Sequence, residues 1–247
     1  QETLGQLLRR DSLLVNFTSD KKPEDTLTES LTRFSCKLST RLAFENVKEI
    51  PVVKKNEGFK TSGQVQYVAR TGNFVKKGFT YTGALEILKV ALSYDYLWMN
   101  LRVKGGAYGC MSGFKRNGES YLVSYRDPHL KRTLDVYKGI PDYIRNFQAD
   151  EREMTKYIIG TISGKDVPRT PQMKGSVSKT AYFCGVTEEM LQKERDQILN
   201  ASAEDIHALA EIIEAVLAAD QICVVGSESK VAEASDVLME VKPLINC

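Results

Sequence analysis

An arginine and a tyrosine flank a pair of glycines, and these four residues are the best suited to chemistry in the sequence. Arg102 stays charged at any physiological pH, and the Tyr108 hydroxyl is a neutral hydrogen-bond donor. Gly105 and Gly106 lack Cβ atoms, so another backbone can approach them closely. The segment could therefore bind an extended peptide or stabilise a developing oxyanion.

The same residues also allow a purely structural interpretation. A glycine pair after an apolar run is typical of a helix end followed by a strand. Arg102 would then only favour the negative end of the helix dipole. Tyr108 would be a core strand residue that alternates with Cys110 and Ser112. The residues alone leave both interpretations open.

Several other kinds of catalytic site are not supported. The two histidines, His129 and His207, lie too far apart for H-E-x-x-H or its inverse H-x-x-E-H. His207 and Glu211 would share a helical face, but no third metal ligand lies nearby, so an exposed polar pair is expected. A G-x-S-x-G elbow, a cysteine with a local base and phosphate-loop spacing are all missing. We therefore expect no metal, no triad and no nucleotide in this chain.

Composition limits the possible partners. The 247 residues are 42% hydrophobic, enough for one large domain or two small ones. The 34 basic and 32 acidic residues give a net charge of +2, which predicts neither nucleic-acid nor membrane binding. No apolar run approaches the roughly 20 residues that span a bilayer. The first residue, Gln1, is not methionine, so we expect a processed or excised chain.

The five cysteines are widely spaced, odd in number and without a C-x-x-C pair. This pattern argues against a disulfide framework and against a zinc knuckle. We expect free thiols in a reducing intracellular compartment, either the cytoplasm or an organelle matrix.

Apolar patterns predict the first elements. A strand is expected at residues 12–17, then a turn at 20–23 and a helix through about residue 40. The polar stretch 54–62 is interpreted as a connection that leads to a strand at 64–69, whose alternating residues 65, 67 and 69 form its more apolar side. Residues 83–101 predict a largely buried helix that ends at the glycine pair.

The second half contains clearer signals. Asn117-Gly118 between two alternating segments predicts an antiparallel hairpin with positive φ at both turn residues. A helix after Asp127-Pro128 is expected to kink near residues 139–141, and Asp150 with Glu153 predicts a capping box. Further helices should follow residues 187 and 202. A strand is expected at residues 221–226 and a terminal helix at 230–240.

Strands and helices do not alternate regularly in this order. The sequence therefore predicts an α+β fold with an antiparallel or mixed β-sheet and helices packed on one face.

The residues resemble a known family. The run from Arg102 to Gly109, the Asn117-Gly118 hairpin, the Asp127-Pro128 helix opening and residues 187–199 are similar to the carboxy-terminal part of insulinase-type zinc metallopeptidases, above all the presequence-protease branch. The resemblance covers most of the chain from about residue 12 onward. It is most specific between Arg102 and Tyr108.

The resemblance implies the last of four related domains. In such enzymes, an amino-terminal half bears the inverted zinc motif, and the carboxy-terminal half closes over it to form a chamber for unfolded peptides. Arg102 and Tyr108 would then be catalytic, binding the substrate backbone and supporting the transition state, while Gly105 and Gly106 would contact substrate only secondarily. The zinc ligands and the catalytic glutamate of this family are absent here, so zinc would be held elsewhere in the parent enzyme.

The resemblance thus implies one carboxy-terminal metallopeptidase-like domain over residues 1–247, in which residues 1–11 could be a linker remnant from the preceding domain. Its partners would be the zinc-bearing half of the same polypeptide and unfolded peptides. Hydrolysis would belong to the parent and not to this chain alone. The alternative is a catalytically inactive scaffold or core subunit of the same fold that binds partner proteins.

Overall fold

The computed structural model describes residues 2–19, 25–40, 51 and 53–245. The chain divides into two compact units, one formed by Gln1–Val52 and Val167–Glu188 and the other by Val53–Asp166 and Glu189–Cys247. That residues 1–247 act as one domain stays a prediction.

The larger unit contains a six-stranded mixed sheet. Its strands are β1 (Glu57–Thr61), β2 (Gln66–Asn73), β3 (Gly109–Phe114), β4 (Glu119–Asp127), β5 (Gln221–Ser227) and β6 (Glu240–Pro243). Their order is β3-β4-β2-β5-β1-β6. β1 runs parallel to β5 and β6, whereas β2 runs antiparallel to β4 and β5, and β3 antiparallel to β4.

The described helices are α1 (Glu2–Leu7), α2 (Asp25–Ser35), α3 (Ala84–Ala91), α4 (Lys131–Lys138), α5 (Ile140–Arg145), α6 (Glu151–Lys165), α7 (Pro171–Cys184), α8 (Glu188–Leu199), α9 (Ala203–His207), α10 (Ala210–Ala218) and α11 (Glu228–Glu233). α3 continues through π-helical turns at Leu92–Tyr96 and Trp98–Val103. In the part of the chain that the structure describes, no helix is both long and apolar enough to cross a membrane.

One face of the sheet is buried against helices. On β2, Gln66 and Val68 are buried while Tyr67 between them is 48% exposed. α10 and α4 contact β2, α3 contacts β3, and α11 contacts β1 and β5. The predicted α+β fold with a mixed sheet is therefore confirmed. The side of β2 that carries Tyr67, predicted as the more apolar one, faces away from the helices. The buried side carries the polar residues Gln66 and Arg70 together with Val68.

The central predictions agree with the structure. The long helix ends at the glycine pair, and β3 and β4 form the expected hairpin. The helical stretch after Asp127 breaks at Gly139 into α4 and α5, and Asp150 forms a capping box with Glu153 at the start of α6. At the hairpin turn only Gly118 has a positive φ, of 85°, so the expectation for Asn117 was wrong. The turn instead closes with the Gly118 amide bonding the Lys115 carbonyl at 2.9 Å.

The strand predicted at residues 12–17 is wrong. These residues form no strand, and Val15 and Phe17 are 47% and 49% exposed. An apolar run becomes a strand only when another strand can satisfy its backbone groups, and no described strand pairs with it. The turn predicted at 20–23 lies outside the described residues.

Two other predictions need correction. The stretch 54–62, interpreted as a connection, contains β1, which lies between β5 and β6. The sequence pattern of β1 is weak because glycine, Gly58, stands at a buried position where most strands carry an apolar side chain. A Cβ at Gly58 would lie 2.7 Å from Leu238. The predicted terminal helix is only α11, and the chain then adds β6 to the sheet edge.

Gly72 should be the most substitution-sensitive glycine of the core. An added Cβ would lie 2.2 Å from the Val216 carbonyl oxygen of α10, a backbone atom that cannot rotate away. We expect Gly72→Ala to destabilise the fold by about 3 kcal/mol, the upper end for overpacking. Gly160 is the matched control, because its Cβ would only reach Val90 at 3.7 Å. Gly160→Ala should stabilise α6 by roughly 0.5 to 1 kcal/mol. Equal effects in urea denaturation would contradict this account.

Candidate functional site

Arg102 lies in the last helical turn before the glycine pair. It belongs to the π-helical segment Trp98–Val103, a distortion that often marks functional positions. The guanidinium carbon lies 4.0 Å from the Trp98 ring centroid, so the arginine stacks on the indole. Within the described residues it forms no ion pair and no side-chain hydrogen bond, and it is exposed. The five N–H donors of Arg102 are therefore available to a ligand.

The glycine pair ends this helix by backbone geometry. Gly106 has a φ of 77°, and its amide donates to the Arg102 carbonyl at 2.9 Å. The Ala107 amide donates to the Leu101 carbonyl at 2.9 Å, which completes a helix cap that glycine favours. Gly105 is buried, and a Cβ there would lie 2.4 Å from the Leu101 carbonyl oxygen. Both glycines are thus needed for the turn that separates Arg102 from Tyr108.

Tyr108 lies immediately before β3 and is 59% exposed. Its ring packs against Tyr125, with ring centroids 5.6 Å apart, and against Arg126, whose guanidinium carbon lies 5.4 Å from the ring centroid. The Tyr108 amide donates to the Arg126 carbonyl at 3.3 Å. No described residue hydrogen-bonds to the Tyr108 hydroxyl. The ring is therefore held while the hydroxyl remains available.

The end of β4 is fixed by a buried carboxylate. Arg126 adopts a φ of 48°, which is unusual for a residue other than glycine. Next to it, Asp127 is fully buried and accepts hydrogen bonds from the His129 amide at 2.8 Å and from the Thr133 hydroxyl at 2.6 Å. These bonds join β4 to α4, and they hold Arg126 beside Tyr108.

The surroundings of Cys110 disfavour it as a nucleophile. It follows Gly109 in β3 and is half-buried. Burial raises the pKa of the Cys110 thiol, the nearby Arg102 charge opposes this rise, and Asp127 adds to it. Since the raised pKa disfavours the thiolate, the reactive form is scarce near neutral pH.

The predicted site residues lie on one turn, but no hydrogen bond or ring contact joins the Arg102 and Tyr108 side chains in the described part of the chain. Sequence reasoning missed Trp98 and Arg126. Trp98 had a usable signal, because it precedes Arg102 by one helical turn. Arg126 had no usable signal in the sequence, because only the pairing of β3 with β4 brings it next to Tyr108.

Among the described residues, no group of three or more His, Cys, Asp or Glu side chains lies close enough together to hold a metal ion. His207 was expected in an exposed pair with Glu211. It is instead half-buried, and its Nε2 lies 2.6 Å from the Phe147 carbonyl oxygen. A zinc ion therefore does not fit the described part of this chain.

Residues 56–229 match the family described as the PreP C-terminal domain. The chain belongs to this family. It is 41% identical over 239 residues to protein HypA of Clostridium perfringens, covering 97% of this chain and 25% of that protein. It is 34% identical over 220 residues to presequence protease 1, chloroplastic/mitochondrial, of Arabidopsis thaliana, covering 87% of this chain and 20% of that protein. This PreP C-terminal domain thus spans a quarter or less of these relatives.

Solved structures show the same fold. A peptidase M16 inactive domain from Pseudomonas fluorescens superposes with a TM-score of 0.56 at 13% identity, covering 90% of this chain and 52% of that one. Pitrilysin superposes with a TM-score of 0.53 at 14% identity, covering 81% of this chain and 22% of that one. The insulinase-type fold expected from the sequence is therefore confirmed for this PreP C-terminal domain.

Proposed function

We propose that this chain is the carboxy-terminal, non-zinc-binding domain of a zinc-dependent endopeptidase that degrades unfolded peptides. One observation carries the proposal. Arg102 and Tyr108 are both exposed and held by aromatic packing, and their polar groups have no hydrogen-bond partner among the described residues. Packing on Trp98 and Tyr125 distinguishes this pair from ordinary exposed side chains, because it fixes the two donors on either side of the glycine pair.

The two side chains have complementary chemical roles. Arg102 would bring a permanent positive charge to a substrate carbonyl oxygen, and Tyr108 would donate a neutral hydrogen bond. Because Trp98 and Tyr125 hold them before substrate arrives, little reorganisation is needed. Gly105 and Gly106 would mainly set the spacing of this pair, with any contact to the substrate backbone secondary.

The remaining requirement is a nucleophile, which this chain does not supply. In zinc peptidases the ion lowers the pKa of a bound water toward neutrality. The ligands would belong to an amino-terminal half of the same polypeptide, which would be the main partner of this domain. This fits a chain that spans a quarter or less of relatives such as presequence protease 1.

A location follows from the relatives and the thiols. The curated relatives include presequence proteases named as mitochondrial or chloroplastic. The described cysteines Cys36, Cys110, Cys184 and Cys223 are free. Free thiols suit a reducing compartment, so the proposed location is the cytoplasm or an organelle matrix.

The proposal is tested by zinc content and hydrolysis in the full-length parent. We expect about one zinc per polypeptide, and hydrolysis of an unfolded peptide that a chelator abolishes and added zinc restores. The second candidate is an inactive scaffold, favoured by structural neighbours that are described as inactive peptidase domains. A parent with neither zinc nor hydrolysis, isolated in a stable complex with another protein, would support the scaffold and overturn the enzyme.

A further inference from the structure

β4 contains a β-bulge where it approaches the candidate functional site. Between two successive paired positions of the ladder, β2 contributes one residue, Tyr67, whereas β4 contributes two, Tyr125 and Arg126. An extra residue of this kind bends the strand and re-aims its side chains, and bulges are common next to active sites.

The bulge changes the face on which Arg126 lies. Earlier in β4 the alternate residues Ser120, Leu122 and Ser124 are buried. In a regular strand Arg126 would follow them toward the helices, because alternate side chains share one face. Instead Arg126 is exposed and the next residue, Asp127, is buried. The extra residue therefore brings a guanidinium to the surface.

Arg126 adopts its backbone conformation at an energetic cost. Its φ of 48° lies in the left-handed region, which glycine occupies without strain and a residue with a Cβ does not. On the neighbouring turn the chain does use glycine at a positive φ, at Gly106. Strained residues of this kind cluster at functional sites, which suggests a use for the arginine side chain.

The Arg126 guanidinium lies beside Tyr108. Its carbon is 5.4 Å from the Tyr108 ring centroid. Within the described residues, Arg126 forms no ion pair and no side-chain hydrogen bond. The adjacent acid, Asp127, is fully buried, and its two oxygens accept hydrogen bonds from the His129 amide and the Thr133 hydroxyl. The donors of Arg126 are therefore available to a ligand.

The surroundings of Arg126 favour an anion. Arg102 and Lys104, on the turn that leads to Tyr108, are exposed and form no ion pair in the part of the chain that the structure describes. A further cation, Arg132, donates to the Lys104 carbonyl at 3.1 Å. The planar fork of an arginine matches a carboxylate with two parallel hydrogen bonds. Among the groups that an unfolded peptide carries, a carboxylate suits this position best.

We propose that Arg126 binds a carboxylate of the peptide substrate and so gives the site a preference for acidic residues near the scissile bond. This inference rests on the proposed function, in which Tyr108 donates to the scissile carbonyl. Since an extended peptide advances about 3.3 Å per residue, Arg126 would reach a group within about two residues of that carbonyl. The carboxylate would come from a glutamate or aspartate side chain, or from the carboxyl end of the peptide.

The first test varies the charge of the peptide. The full-length parent receives a neutral, unstructured peptide in which glutamate or glutamine occupies one position at a time on either side of the cleavage site. At the preferred position, kcat/KM should be at least about tenfold higher with glutamate. A peptide that ends at that position, as free acid or as amide, distinguishes a terminal carboxylate from a side chain. No preference for either kind of carboxylate would overturn the proposal.

The second test changes the arginine. Arg126→Gly should abolish the preference for glutamate over glutamine, and Arg126→Glu should replace it with a preference for lysine. Arg152, an exposed arginine on α6 without a side-chain partner among the described residues, is the control. Arg152→Ala should keep the preference. If the preference survives Arg126→Gly, another group binds the carboxylate and the proposal is wrong.

The glycine variant also separates binding from folding. Because glycine is unstrained at this φ, Arg126→Gly should leave the urea midpoint of the chain unchanged or raise it. A clearly lower midpoint would show that the arginine is kept for the fold, and it would overturn the proposal.

Peptide affinity distinguishes this inference from the proposed function. With a chelator present to stop hydrolysis, binding of the glutamate and glutamine peptides to the full-length parent is titrated directly. A parent that never hydrolyses peptides, but prefers glutamate through Arg126, would keep the carboxylate site and remove the enzyme. A parent whose turnover depends on Arg102 and Tyr108, but whose peptide preference is the same in Arg126→Gly, would keep the enzyme and remove the carboxylate site.

Discussion

Replacing Arg102 by alanine, or Tyr108 by phenylalanine, is expected to lower kcat of the full-length parent about a hundredfold. Both side chains are held in place by neighbours, Arg102 by Trp98 and Tyr108 by Tyr125. Their loss therefore removes a positioned donor rather than a fold contact. Tyr108→Phe retains the ring, so its effect isolates the hydroxyl. The measurement is steady-state hydrolysis of an unfolded peptide.

Matched variants separate this effect from general damage. Arg152 is an exposed arginine on α6 with no side-chain partner among the described residues, and Tyr94 is a tyrosine that is 73% exposed. Arg152→Ala and Tyr94→Phe should leave kcat unchanged. Zinc content should be the same in all four variants, because no metal ligands are gathered in the described residues. Normal turnover in Arg102→Ala and Tyr108→Phe would refute their assignment.

The second large effect concerns the stability of the larger unit. Glu194 of α8 is only 4% exposed and accepts hydrogen bonds from Arg116 at 2.8 Å and from Lys165. The Tyr81 hydroxyl lies 3.3 Å from a Glu194 oxygen and 3.0 Å from a Glu86 oxygen. One carboxylate therefore joins the tip of the β3–β4 hairpin, the end of α6 and the segment before α3.

Replacing Glu194 by glutamine should cost about 2 kcal/mol of unfolding free energy at pH 7. Breaking a fully buried pair would cost more, but Arg116 and Lys165 are 35% and 30% exposed, so water compensates part of the loss. Glu119, which pairs with Lys115 on the surface, is the control, and Glu119→Gln should leave the free energy of unfolding almost unchanged. Urea denaturation of the chain measures both. Equal losses would show that Glu194 is an ordinary surface partner.

The Glu194 carboxylate also makes the free energy of unfolding depend on pH. Burial alone would raise the pKa of Glu194, but Lys165 and Arg116 outweigh it and hold the pKa below its ordinary value of 4.5. A lowered folded-state pKa means that the stabilisation is fully present above pH 4.5 and disappears as the pH falls through the lowered value. The stability difference between the parent chain and Glu194→Gln should therefore shrink in acid. A difference that stays constant from pH 7 to pH 3 would contradict this linkage.

The sequence predicted elements whose signals are local. The Asn117-Gly118 turn, the capping box of Asp150 and the glycine pair each fix a short stretch of backbone, and each lies where expected. β1 and β6 had no such signal. β1 is a strand because β5 and β6 pair with it, and Gly58 suits the close approach of Leu238 rather than any local preference.

The candidate site also contains residues that the sequence could nominate and residues that it could not. Arg102, Tyr108 and the two glycines are adjacent in sequence, so spacing and family resemblance could nominate them. The position of Arg126 beside Tyr108 depends on strand order and register. These are long-range pairings that a single sequence does not specify.

The central claim is that Arg102 and Tyr108 recognise the transition state of peptide hydrolysis more strongly than the substrate. Its most direct measurement compares two ligands of the full-length parent, an uncleaved peptide and the same peptide with a phosphinate in place of the scissile amide. In Arg102→Ala and Tyr108→Phe, phosphinate affinity should fall about a hundredfold while affinity for the uncleaved peptide changes little. Equal losses for both ligands, or no loss for either, would contradict the account.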